Sequence, residues 1–131
     1  MRMKGKIVQK GKASGKALVS KDPISFLGGI NPDTGEIIEA EHPLKGESVK
    51  GKILVFPHGK GSTVGSYVLY QLALNGKAPS AMINRNSEPI VGVGAIIADI
   101  PLVHRLDKDP IDNIENEDLV SIDGENVTVE K

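Results

Sequence analysis

Apolar residues in the first half of the chain come in short runs broken by glycine. Met3 to Val8 and Lys16 to Val19 read as short strands, with a turn through Lys10 to Lys16 in which Gly11 and Gly15 allow tight reversal. A glycine-rich connection follows, from Ile24 to Ala40. It sets Gly28 and Gly29 before the turn formers Asn31, Pro32, Asp33 and Gly35, and Glu36 to Ala40 reads as a further strand. Lys52 to Phe56 is an apolar, β-branched run closed by Pro57, the pattern of a strand buried on both faces in a parallel sheet. Val64, Tyr67, Val68 and Leu72 then recur at helical spacing, with Ser62 or Thr63 as the N-cap and Asn75-Gly76 and Pro79 as the stop. Ser80 to Ile83 reads as the next strand, so Lys52 to Ile83 predicts a right-handed βαβ crossover. Pro89 to Val93 predicts a short helix and Ala95 to Ala98 a further buried strand. Leu119 to Glu130 alternates apolar and polar residues around Asp123-Gly124, which predicts a hairpin. The expected class is α/β, one domain over residues 1–131, with β-rich strands covering an aliphatic face in a sandwich or barrel-like sheet.

Composition narrows the chemistry. Aromatic residues are 3% of the 131 and tryptophan is absent, so the core must be built from Ile, Val, Leu and Ala. Sixteen Lys and Arg stand against seventeen Asp and Glu, and the cations are scattered singly, which argues against nucleic-acid binding. With no cysteine the chain can hold no disulfide, thiolate nucleophile or cysteine-ligated cluster of its own. No run approaches the ~20 apolar residues of a membrane span, and the amino-terminal stretch lacks a continuous apolar core, so the expectation is a cytoplasmic protein with no membrane partner.

The candidate chemistry lies between the predicted strand and helix, in Gly59-Lys60-Gly61-Ser62-Thr63. Glycines at 59 and 61 let a ligand approach backbone N–H groups that a helix start leaves unpaired. The spacing is not a Walker A loop, because no Gly-Lys-Ser/Thr triplet occurs. Taken from spacing alone, Ser62 caps the helix, clamps an anion or acts as a base. Gly28-Gly29 is likewise either turn punctuation or a place where a ligand comes close. His42, His58 and His104 show neither a hydrolase order around a serine nor metal-ligand spacing.

Phe56 to Ile83 and Glu88 to Val103 resemble the small-subunit segment of the aconitase X family. The likeness runs through the Gly28-Gly29 loop and nearly the whole chain, and Gly59 to Tyr67 is its most specific part. It implies a single swivelling β/β/α domain with a central βαβ unit, paired with a large catalytic subunit that carries an iron-sulfur cluster of the 4Fe-4S type. It also implies dehydration of (R)-5-phosphomevalonate to trans-anhydromevalonate 5-phosphate in the archaeal route to isoprenoids. Within that resemblance Ser62 is the proton acceptor, and Gly59, Gly61, Thr63, Gly28 and Gly29 surround the substrate. This chain itself would hold no metal. Conventional aconitases read Gly-X-Gly-Ser-Ser-Arg here, whereas Val64 stands in place of the arginine; that departure argues against tricarboxylate recognition and leaves open what holds the substrate's charged ends. Related family members dehydrate cis-3-hydroxy-L-proline. Swivelling domains also resemble phosphohistidine carriers, with His58 beside the turn, and a non-catalytic docking module is the remaining reading.

Overall fold

The computed structural model describes residues 1–131. In chain order it contains β1 (Arg2–Lys4), β2 (Lys6–Gln9), β3 (Lys12–Val19), β4 (Ile24–Ser25), β5 (Ile53–Phe56), β6 (Gly59–Lys60), α1 (Gly65–Leu74), β7 (Ala81–Asn84), α2 (Pro89–Ala98), β8 (Leu102–His104), α3 (Pro110–Asn113), β9 (Leu119–Asp123) and β10 (Asn126–Glu130). Eight strands form one sheet in the order β1-β10-β9-β3-β5-β7-β8-β2, and β4 pairs with β6 in a separate two-stranded ladder. The two end strands of that order are separated in sequence by one residue, Gly5. The sheet therefore curls until its edges meet along a single extended segment, which leaves few unpaired backbone groups at a rim.

A change of partner within β3 splits the sheet into layers. Lys12 to Lys16 pair antiparallel with β9, and Ala17 to Val19 pair parallel with β5. One layer is thus antiparallel, from β1, β10, β9 and the start of β3; the other is mainly parallel, from the end of β3 with β5, β7 and β8. Ile53, Val55, Ala81, Ile83 and Val103 pack against Met3, Val120, Ile122, Val127 and Val129 between the layers. On the far side of the parallel layer, Leu54, Phe56, Met82 and Leu102 meet Val68, Leu69 and Leu72 of α1 and Val91 and Ala95 of α2. Every residue of β5 and β7 is buried, which is why those strands read as continuous apolar runs rather than as alternating ones. This is the β/β/α order of layers, and β5, α1 and β7 form the expected crossover between parallel neighbours.

Four local expectations need correction. The reversal through Lys10 to Lys16 shrinks to Lys10-Gly11, because β3 runs unbroken through Gly15. The strand expected over Met3 to Val8 is divided at Gly5 as it changes partner. Glu36 to Ala40 forms only the isolated bridges Ile30 with Ile37 and Glu36 with Ser48, so its backbone is tied to loops and not to the sheet. Ala95 to Ala98 is the end of α2: Val91 and Ala95 are buried while Val93, Ile96 and Ile97 face outward, a helical period. The helix continues through Gly94 because its bare Cα lets Leu69 of α1 pack close; an added Cβ would lie 3.2 Å from Leu69 Cβ. The strand Leu102–His104 escaped the sequence reading.

Gly5 is the tightest point of the closure. A Cβ there would stand 2.6 Å from the His104 carbonyl oxygen, which belongs to the paired backbone and cannot move aside cheaply. Gly5→Ala is expected to destabilise the domain by about 1–3 kcal/mol through overpacking. Ser14→Ala, at an exposed position of β3, should stay within about 0.5 kcal/mol. Urea unfolding of both variants measures the difference, and equal midpoints would remove Gly5 from this role.

Candidate functional site

The site grows from the carboxyl end of β5. After Pro57 the chain forms β6, and its parallel pairing with β4 matches Ile24 with Gly59 and Ser25 with Lys60. That short ladder lays the Ser25 to Gly29 loop beside the glycine turn, bringing together two segments that are distant in sequence. Gly61 has φ of +89°, and a Cβ there would stand 2.8 Å from Ser25 Oγ, so both conformation and space favour glycine. Gly28, at φ +82°, borders open space, whereas a Cβ at Gly29 would strike the Ser25 carbonyl. Gly29 is a packing requirement; only Gly28 of the pair leaves room for a ligand.

Ser62 is exposed in the loop that leads into α1. It is not the N-cap, and neither is Thr63: the helix starts at Gly65, Val64 takes the cap position, and no side chain caps it. A tight turn intervenes, in which the Ser62 carbonyl accepts from Gly65 N–H at 2.9 Å. Ser62 Oγ instead accepts from Val64 N–H at 3.2 Å, two residues on. The N–H groups of Ser62 and Thr63 donate to no acceptor in the chain. The hydroxyl oxygen thus receives one backbone donor at the amino end of a helix, an environment that favours negative charge on it.

Sequence reasoning missed the residue that fixes this turn. Glu88 Oε1 accepts from Gly59 N–H and from Val91 N–H, each at 3.1 Å, and Oε2 accepts from Ile90 N–H at 2.7 Å. One carboxylate therefore caps α2 and holds the glycine turn against it. The Glu-Pro pair at the start of a helix carries the capping half of this signal, but the bond to Gly59 spans 29 residues and has no local mark. Lys60 reaches Glu39 at 3.5 Å. Beside the turn, Thr63, Ser66 and Tyr67 face Ile90, Val93 and Ile97 across an apolar groove of about 370 Å³. Thr63 lines that groove and Ser62 stands outside it.

The histidines do not converge on the serine. His58 Nδ1 lies 2.7 Å from the Gly59 carbonyl, so it carries the proton and donates. His42 is buried, accepting Leu44 N–H at Nδ1 and reaching Ser20 Oγ through Nε2 at 3.4 Å. His104 Nδ1 accepts Ser87 N–H at 2.9 Å, which requires an unprotonated nitrogen there. Burial, and then the neighbouring Arg105 and Lys6, push the His104 pKa below its ordinary value. No group of three or more His, Cys, Asp or Glu side chains is placed to hold a metal ion. With no cysteine either, these residues do not fit an iron-sulfur cluster. No helix is long and apolar enough to cross a membrane.

Two measurements follow from this geometry. Glu88→Ala should cost about 0.5–2 kcal/mol from the lost cap and raise hydrogen exchange at Gly59 together with Ile90 and Val91. Exchange that rises at α2 alone would detach Glu88 from the turn. Because the folded chain lowers the His104 pKa, the unfolded chain takes up that proton first. The contribution of His104 to stability is complete above the unfolded value of about 6.5 and is lost as the pH falls from there through the lowered folded value. Urea titrations at pH 7.5 and 5.5 should therefore show a larger loss for the native chain than for His104→Asn, and equal losses would discard the assignment.

Comparison with known proteins agrees with this architecture. The family model of the aconitase X swivel domain matches residues 2–131. The chain is 59% identical over 124 residues to the phosphomevalonate dehydratase small subunit of Methanocella arvoryzae, covering 95% of this chain and 94% of that one. Identity to the protein of the same name from Methanosarcina acetivorans is 56% over 124 residues, covering 95% and 86%. The crystal structure of Thermococcus kodakaraensis aconitase X in its holo-form superposes with a TM-score of 0.95 at 46% identity, over 100% of this chain and 99% of that one. The match of the family model over nearly the whole chain, these identities, and a fold shared end to end with the solved aconitase X structure place the chain in the aconitase X family as its swivel domain.

Proposed function

We propose that residues 1–131 act as one swivelling unit, the small subunit of a hydro-lyase that dehydrates (R)-5-phosphomevalonate to trans-anhydromevalonate 5-phosphate on the archaeal route to isoprenoids. Relatives 56–59% identical along most of the chain bear the name of that dehydratase small subunit. The observation that carries the chemistry is the position of Ser62: exposed at the carboxyl end of a parallel strand, where α/β sheets place their ligands, with a backbone N–H on its oxygen.

Removal of water from a β-hydroxy acid breaks a C–H bond next to the carboxylate and the C–O bond of the neighbouring carbon. Ser62 Oγ, as the alkoxide, takes the proton, the C–H electron pair becomes the new double bond, and the hydroxyl leaves as water with a proton delivered from the large subunit's side of the site. Serine is a weak base because its alkoxide is costly in water. The Val64 N–H and the amino end of α1 offset that cost by stabilising negative charge on Oγ. Gly28 borders open space beside the turn, and the free N–H groups of Ser62 and Thr63 offer donors to an anionic substrate group. No residue here is suited to ligate a cluster, so acid assistance to the departing hydroxyl is the task of the large subunit, which in this reading carries the 4Fe-4S group.

Ser62→Ala separates a base from a structural hydroxyl. Loss of the base should lower kcat at least roughly hundredfold in the assembled two-subunit enzyme, while Thr63→Ala does markedly less. Size-exclusion chromatography and cluster absorbance establish that each variant is assembled and loaded. Near-normal turnover by loaded Ser62→Ala would return Ser62 to its turn. Either subunit alone should show no dehydration of phosphomevalonate, and turnover by this chain alone would refute the shared site.

A further inference from the structure

The helices that cover the parallel layer have an outer surface unlike the rest of the chain. α1 reads Gly-Ser-Tyr-Val-Leu-Tyr-Gln-Leu-Ala-Leu and α2 reads Pro-Ile-Val-Gly-Val-Gly-Ala-Ile-Ile-Ala. Neither contains a charged residue, although a quarter of the chain is Asp, Glu, Lys or Arg. Apart from Gln71 their large outward side chains are aromatic or aliphatic: Tyr67 is 63% exposed, Leu74 67% and Ile96 55%, with Tyr70, Val93 and Ile97 exposed beside them. Tyr67, Tyr70 and Leu74 lie three and four residues apart and so share one stripe of α1. A surface helix normally turns charge to water on this side. Charge depletion together with both tyrosines of the chain is the composition of an interface centre.

We infer that this outer face of α1 and α2 is the surface on which the large subunit docks, with the groove between Tyr67 and Ile97 receiving an apolar side chain of that partner. The inference rests on the proposed two-subunit dehydratase, and three observations select this occupant. The six exposed residues present on the order of 600 Å² of largely apolar surface, backbone and tyrosine hydroxyls included, which is large for a monomer and approaches one partner's share of a standard interface. The face is continuous with the site, because Thr63, the residue after Ser62, forms one end of the groove. A partner that assists the departing hydroxyl must approach Ser62 from outside this chain, and a body seated on the groove is already there. The groove also asks for an apolar guest, since the Ser66 hydroxyl within it is already bonded to the Ile90 carbonyl at 2.6 Å. Neither helix offers Lys or Arg to anionic headgroups, which removes the attraction that holds an amphipathic surface to a membrane.

The test uses binding as its readout, apart from turnover. Tyr67→Glu and Leu74→Lys each place a charge on the face at a well-exposed position, and Ile7→Lys places one at an exposed apolar position of β2 as a control. Circular dichroism and urea unfolding establish which variants are folded; Leu74, the most exposed of the three, serves if Tyr67→Glu unfolds. Titration calorimetry against the purified, cluster-loaded large subunit should show at least a thirtyfold rise in Kd for the face variants and less than threefold for Ile7→Lys. Native-like affinity in a folded face variant overturns the proposal. Self-association of the isolated chain that Tyr67→Glu abolishes, with large-subunit binding intact, assigns the face to a second copy and overturns it as well. Tight, face-dependent binding in a complex that does not dehydrate phosphomevalonate supports the docking surface while sinking the functional reading.

Discussion

Backbone pairing at both ends of the eight-stranded sheet is completed by one extended segment, Arg2 to Gln9, and that double duty governs the rest of the molecule. Strand edges left open would require cover or charge. Here β1 pairs with β10 and β2 with β8, so the sheet must curl, and curling divides it into two layers with an aliphatic core between them. The inner face of the parallel layer is then filled by strands. Its outer face falls to α1 and α2, the crossovers on either side of β7. With the edges closed and both faces covered, the carboxyl ends of the parallel strands are where loops remain free to carry chemistry, and the glycine turn occupies one of them.

Precision at that turn comes from backbone hydrogen bonds, one of them to the Glu88 carboxylate. Gly59, Gly61 and Gly28 have no side chains to lock in place, so the loop would be loose if left to its own contacts. The β4 to β6 ladder ties one side of it to the Ser25 loop, and Glu88 ties the other side to α2. Ser62 is thereby exposed yet located, a combination that the proposed role as a base requires.

Local chemistry was readable and long-range chemistry was not. The hairpin was legible because its turn is specified by adjacent residues, although the register pairs Asn126 with Asp123 and so sets the turn at Gly124-Glu125, one residue beyond Asp123-Gly124. The β5, α1 and β7 unit was legible because burial on both faces writes itself as an apolar run. Ala95 to Ala98 was misread for the same reason: four apolar residues cannot reveal a helical period, and Gly94 just before them marks close packing against Leu69 rather than a helix end. The segment Leu102 to His104 is too short for a pattern. Ser62 had the right identity for a cap, but an intervening turn, invisible in sequence, moved the helix start to Gly65. The glycine motif drew attention to the correct loop, while Ser25 and Glu88, which hold it, owe their roles to contacts across the fold.

The Glu88 carboxylate has a consequence for how portable this chemistry is. The turn that bears Ser62 precedes α1, yet its position is measured from α2, because the oxygen that receives Val91 N–H also receives Gly59 N–H. Grafting Gly59 to Tyr67 onto a foreign scaffold would transplant the sequence of the motif without its ruler. A workable transplant must bring the Glu88-Pro89 start of the second crossover along with it, so the smallest cassette is two strand-helix units and not one loop.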